Sequence, residues 1–289
     1  MPENLKALRL RIKSIKQTKK ITRAMEMVSA AKLRKSESVM KASRPFMRKI
    51  QQLIGRLALS TYAQSHPLFQ KSTTGIPLIV LFTSDRGLAG AFNANLIKAA
   101  MRELRANPEA KVYVIGRKGR DFFRRFHPDR VEGELTDLKN SLDGAITDKL
   151  GAELLAGFEN GKYRQIDILY PNFISTATNR PVVERYLPFD ASAFGTADGK
   201  NTEIDYILEP PPERVFDAIL PRYLKSKLFL TLAETYTSEH SSRMLAMNNA
   251  TKNCDELADS LTLRLNKARQ AQITTEIIEI VGGAEALKG

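Results

Sequence analysis

The chain has 289 residues, 43% of them hydrophobic and 27% charged, with a formal net charge of +13. That is enough for one sizeable core plus an extension, while no apolar run reaches the roughly 18 residues of a membrane span. The N-terminus lacks the apolar stretch of a signal peptide, so a cytoplasmic chain without direct membrane insertion is expected. A single cysteine, Cys254, excludes an internal disulfide.

The first element is a long helix. Glu3 to Arg44 contains neither glycine nor proline. Leu5, Leu8, Ile12 and Ile15 alternate steps of three and four, and Met25 and Val28 resume that phase after Thr18 and Thr22. A helix of roughly 60 Å needs a partner. The same segment carries thirteen Lys or Arg against Glu3, Glu26 and Glu37, which is +10 of the total +13. A bias this one-sided anticipates acidic surroundings. Nucleic acid is one candidate, but no aromatic is offered for base stacking and no nucleic-acid motif accompanies the charge. An acidic protein partner explains it equally well. We assign 1–60 to this helix.

The middle of the chain predicts an α/β domain over 75–190. Strands are expected at Ile76 to Thr83, Lys111 to Ile115, Ile166 to Tyr170 and Val182 to Phe189. Helices are expected at Asn93 to Arg105, Lys118 to Phe126 and Gly144 to Glu159. Strands alternating with helices suggest a small doubly wound, Rossmann-like sheet of mixed direction. After the first strand, Ser84-Asp85-Arg86-Gly87-Leu88-Ala89-Gly90-Ala91-Phe92-Asn93 is a strand-to-helix turn able to offer amides and Arg86 to an anion. It matches neither GxGxxG nor GxxxxGK[ST], so a structural turn is the preferred reading and no cofactor is expected. Asp85 is most simply a local ion pair with Arg86 or a helix-start cap.

A linker and short helix occupy 191–221, with Pro221 expected to end that helix or kink the next. The C-terminal helix is assigned to 222–289, and Arg222 to Val281 again lacks glycine and proline. Its seam runs Met247, Thr251, Cys254, Ala258, Leu261, Leu265, Ala268 and Gln272. The two terminal helices therefore predict an irregular antiparallel coiled coil standing on the central domain. Cys254 on the seam reads as a buried structural thiol. His66, His127 and His240 are scattered without zinc-ligand spacing, and no GxSxG elbow occurs. The residues describe a mechanical part better than an enzyme. A basic nucleic-acid-binding coiled coil and a dinucleotide-dependent enzyme are the rival readings.

Particular blocks sharpen this. Ile21-Thr22-Arg23-Ala24-Met25-Glu26-Met27-Val28 with Lys32 and Arg34, the Ser84 to Asn93 turn, Ser238-Glu239-His240 through Asn249-Ala250-Thr251, and Asn266-Lys267-Ala268-Arg269-Gln270 with Ile273-Thr274 closely resemble the γ subunit of F-type ATP synthases. They lie at both ends and in the middle, in family order. Ala89 and Ala91 stand where cysteine and glycine are common, and Gly282 where serine is usual.

The resemblance implies a non-catalytic rotor at the centre of three α and three β subunits. Its base would join ε and the proton-driven membrane c-ring, on the cytoplasmic face of a bacterial inner membrane. It implies contacts with the surrounding stator at Met25, Lys32, Arg34, Arg269 and Gln270. It further implies an apolar tip at Ile277, Ile278, Ile280, Val281 and Leu287, and a ring-facing foot near Tyr206 and Glu209.

Overall fold

A computed structural model describes residues 5–57, 65–138, 142, 144–190 and 211–286. The expected contact residues Leu287, Tyr206 and Glu209 lie outside them. The chain divides into two compact units, 30–243 and a smaller one combining 1–29 with 244–289.

The larger unit holds a five-stranded sheet in the order β3-β2-β1-β4-β5. Its strands are β1 (Ile76–Phe82), β2 (Lys111–Ile115), β3 (Val131–Leu135), β4 (Tyr163–Ser175) and β5 (Thr178–Leu187). The first four run parallel and β5 returns antiparallel beside β4. Connecting helices are α2 (Phe92–Ala106), α3 (Arg117–Phe126) and α4 (Gly144–Glu159). Both faces of the sheet are covered. On β1, Leu78, Val80 and Phe82 join a core with Met47, Ile50, Ile54, Leu154, Leu224 and Leu228. Ile79 and Leu81 point the other way, into Phe92, Leu96, Ala100 and Phe123. That two-sided burial explains the unbroken apolar run Ile76 to Phe82.

The long helices contribute to this unit. α1 spans Leu5–Leu57 and passes through Pro45. α5 spans Pro212–Ala286 and passes through Pro221. A proline inside a helix removes one backbone bond and costs about 3 kcal/mol. Here Met40, Met47 and Ile50 on either side of Pro45, and Phe216, Leu220 and Leu224 around Pro221, are buried. Their burial offsets the loss; of the two expectations for Pro221, the end of a short helix is not met, since α5 runs through it. α5 starts ahead of the expected Arg222 because Pro212 has the torsion suited to a first helical position and needs no donor there. Glu213 in the first turn complements the helix dipole.

β3 escaped the sequence reading. Its residues, Val-Glu-Gly-Glu-Leu, are short and charged, and it lies at the sheet edge. Gly133 is required there because a Cβ would lie 2.5 Å from the Tyr113 ring.

In the smaller unit α1 and α5 pair. Leu8, Ile12 and Leu261 form its apolar cluster, with Ile15, Leu265 and Ala268 packed against them. Four seam expectations need correction. Val28 is 56% exposed and Ser29 is buried in its place, because the stripe steps from Thr22 by seven residues rather than six. Thr18 and Gln272 are also exposed, and Cys254 is half-buried rather than fully buried.

Candidate functional site

In a doubly wound sheet, ligands enter the crevice beyond the carboxyl ends of the strands where the strand order reverses. Here that place lies between β1 and β4. The protein fills it with its own groups. Within α5, Ser238 Oγ donates to the Pro171 carbonyl at 3.3 Å and the Tyr236 hydroxyl to Leu138 at 3.1 Å. Arg243 reaches the turn after β1, donating from Nε to the Gly87 carbonyl and from a terminal nitrogen to that of Arg86, both at 3.1 Å.

Arg243 is itself buried and needs a counter-charge. Glu239, one turn earlier and also buried, supplies it at 2.8 Å. The contact is an ion pair rather than an aligned hydrogen bond, since Glu239 Oε1 has no properly directed donor. Burial raises the Glu239 pKa, opposed by Arg243 and more weakly by Lys32. His240 stands beside this pair with Nδ1 3.4 Å from Arg243 and its ring stacked on Tyr236. Burial, with the positive charges of Arg243 and Lys32, pushes the His240 pKa down to about 3. It is a neutral imidazole at physiological pH.

The turn after β1 is equally self-contained. Asp85 accepts the backbone N–H of Arg117 with one carboxylate oxygen and that of Leu138 with the other, each at 3.0 Å. Its carboxylate thus sits at the start of α3, where the free N–H groups and the helix dipole favour negative charge. Asp85 is the N-cap of neither α2, whose N-cap is Ala91, nor α3, whose N-cap is Gly116; it instead ties the turn after β1 to the first amide of α3 and to Leu138. Ser84 closes the turn through the Asn93 amide at 3.1 and 2.9 Å. Gly116 before α3 has φ +94 and a virtual Cβ 2.3 Å from the Thr83 carbonyl, so only glycine fits. Leu88 is held at φ 61 with its side chain exposed, an unfavourable conformation for a branched apolar residue and one without a local sequence signal.

The remaining candidates are surfaces. On α1, Met25 and Lys32 are half-buried and Arg34 is exposed. Lys32 is close enough to act on the buried Glu239 and His240, which its sequence context did not indicate. Arg269 and Gln270 on α5 are exposed. From Arg269 to Ala284 every described side chain of α5 is exposed. Ile277, Ile278, Ile280 and Val281 are 56%, 64%, 71% and 60% exposed, and with Ile273 most of them line one helix face. Apolar surface so concentrated is a protein-binding feature.

A Rossmann-like sheet whose crevice is closed by its own helix, together with paired terminal helices bearing an unpartnered apolar end, defines an interaction subunit. Comparison with known proteins gives the family. A family model described as ATP synthase matches residues 4–287. The chain is 41% identical over 294 residues to the ATP synthase gamma chain of Symbiobacterium thermophilum, covering 100% of both. It is 42% identical over 286 residues to that of Moorella thermoacetica, covering 99% of each. Its fold is similar to a chain in the OSCP/F1/c-ring structure of Euglena gracilis mitochondrial ATP synthase, with TM-score 0.68 and 20% identity over 98% of this chain and 94% of that one. The chain belongs to the ATP synthase gamma-chain family.

Proposed function

We propose that this chain is the central-stalk rotor of an F1Fo ATP synthase, carrying torque from a proton-driven membrane ring to the catalytic β subunits. The observation that carries this is its likeness over the whole length to ATP synthase gamma chains. It is a non-catalytic subunit of that complex, and the nucleotide chemistry belongs to β. The self-filled crevice fits such a role, because a base built to transmit force gains stiffness from Arg243, Asp85 and Ser238 where an enzyme would keep space.

Rotation changes ATP affinity only if each rotor angle favours a different β conformation. That requires differential contacts. Met25, Lys32, Arg34, Arg269 and Gln270 supply them in our reading, the basic ones facing acidic stator segments. Ile277, Ile278, Ile280 and Val281 turn in an apolar sleeve, and Leu287 extends that tip. Tyr206 and Glu209 belong to a foot facing the c-ring. The partners are three α and three β subunits around one copy of this chain, with ε and the c-ring at the base. No helix among the described residues is long and apolar enough to cross a membrane. The chain is membrane-associated through its complex, and we place it on the cytoplasmic face of a bacterial inner membrane.

The test is composition. Native mass analysis of the complex purified through a tag on this chain should give α and β in threefold excess over it. A complex lacking both subunits would refute the assignment.

A further inference from the structure

The two helices on one face of the sheet, α2 and α3, hold eight Lys or Arg against Glu103 and Asp121, a net of +6. With the +10 of Glu3 to Arg44 set aside, the rest of the chain nets −3, so this surplus is local. The apolar sides of both helices face the core, where Phe92, Leu96 and Leu104 of α2 and Phe123 of α3 are buried against Ile79, Leu81 and Val114. The opposite sides are basic. Lys98, Arg102 and Arg105 follow at steps of four and three along α2, and Lys118 and Arg125 lie seven apart on α3, so each set shares one outward stripe. All five are exposed, and none makes an ion pair among the described residues. Other cations around this sheet have a carboxylate, Arg124 with Glu134, Arg164 with Glu109 and Arg185 with Asp167. Beside the basic stripes Phe126 ends α3 at 56% exposure, its ring 5.1 Å from that of Phe122 and 5.3 Å from the Arg125 guanidinium carbon. An unrelieved basic surface with an exposed aromatic at its end asks for a negatively charged partner.

We propose that the outer face of α2 and α3 docks on an anionic lipid surface, the five cations meeting headgroup phosphates and Phe126 entering the boundary of the acyl layer. The spread of charge selects a surface over a small anion. Lys98 and Arg105, like Lys118 and Arg125, are about 10 Å apart along their helix, so no single phosphate satisfies both. A fluid layer of headgroups brings a phosphate to each without a preformed pocket, at about fivefold in affinity per cation. One exposed aromatic gives no platform for successive bases, which disfavours single-stranded nucleic acid, but it suits an interfacial anchor added to a polybasic patch. The membrane-associated complex supplies such a surface; that supply rests on the proposed function, whereas the binding itself does not.

The test uses the purified full-length chain in a Cys254→Ala background, with a polarity-sensitive fluorophore attached at Ala94→Cys or at Ala152→Cys. Ala94 is exposed one turn before Lys98 on the same side of α2, and Ala152 is exposed on α4, across the sheet. Two positions are needed because α1 is basic as well. Vesicles of phosphatidylcholine mixed with phosphatidylglycerol should shift the Ala94 probe to the blue, vesicles of phosphatidylcholine alone should not, and the Ala152 probe should stay unchanged. Lys98→Ala, Arg102→Ala and Lys118→Ala combined, all exposed and all to the best helix former, should weaken vesicle binding at the Ala94 probe by about a hundredfold. Phe126→Ser should weaken it by about tenfold. No shift at Ala94 with the anionic vesicles, an equal shift at both probes, or undiminished binding by either variant would each overturn the proposal. Polyglutamate binding more tightly than the vesicles at the Ala94 probe would overturn the choice of lipid and assign the face to an acidic protein.

Discussion

The hydroxyls of Thr22 and Thr251, 229 positions apart in the chain, meet at 2.8 Å on the buried seam between α1 and α5. Each also contacts a carbonyl of its own helix, Thr22 that of Lys19 at 3.0 Å and Thr251 that of Met247 at 2.8 Å. Two hydroxyls have two protons for three contacts, so one bond is always forgone. The pair marks register more than it adds stability. Replacing both by valine should leave thermal stability unchanged or slightly raised, since an apolar pair of the same shape removes the polar demand altogether. Either single valine should cost less than about 1 kcal/mol, and a double-mutant cycle of unfolding free energies measures the coupling. A loss of several kcal/mol in the double variant would contradict this.

Ala258 tests the same seam with charge. It is buried in the smaller unit, whereas Cys254 is only half-buried. Ala258→Glu should destabilise that unit by roughly 3 kcal/mol through an unpaired buried carboxylate, while Cys254→Ala should change little. Circular dichroism melts of the two variants check this, and equal melts would show the register to be wrong.

Removing Arg243 should be among the costliest single changes in the larger unit. Arg243→Ala forfeits bonds to the Arg86 and Gly87 carbonyls and strands the buried Glu239. A loss of about 3–5 kcal/mol is expected. Adding Glu239→Gln should recover part of it, because the stranded charge is then gone. Chemical denaturation of the single and double variants measures both.

His240 sets an acid limit. Burial and the nearby positive charges push its folded pKa down to about 3 from the ordinary 6.5, so near pH 6 the unfolded chain binds a proton that the folded chain does not. Its contribution is therefore present above pH 6.5 and is lost as pH falls. Between pH 7 and 5.5 this amounts to about 1 kcal/mol. Glu239 and Glu234 have raised pKa values and oppose the trend at lower pH. His240→Gln should flatten the stability profile across that interval. A variant with the wild-type slope would show that another group is responsible.

Much of the fold was legible because its signals are local. The Gly144 to Glu159 helix and the Lys111 to Ile115 strand coincide with the periodicity that announced them. β3 was not legible, because an edge strand needs only pairing with β2 and its Val-Glu-Gly-Glu-Leu carries no apolar alternation. The expectation that Pro221 ends a helix misled for a related reason. Pro221 is a helix breaker by propensity, but the burial of Leu220 and Leu224 beside it overrides that preference. The surfaces at Arg269, Gln270 and Ile277 were expected from the family resemblance alone; by spacing alone Ile277 reads as core, whereas it is 56% exposed. The Arg243, Glu239 and His240 cluster was not legible, since only the tertiary fold brings that segment to the end of β1.

The central claim is that the chain must turn for ATP to be made. In a Cys254→Ala background, Gln270→Cys can be joined by a disulfide to a cysteine in the facing stator segment of the assembled, membrane-bound complex. Proton-driven ATP synthesis should stop on oxidation and return on reduction, because a fixed shaft cannot present successive faces to the β subunits. Undiminished synthesis in a fully cross-linked complex would contradict the rotor assignment.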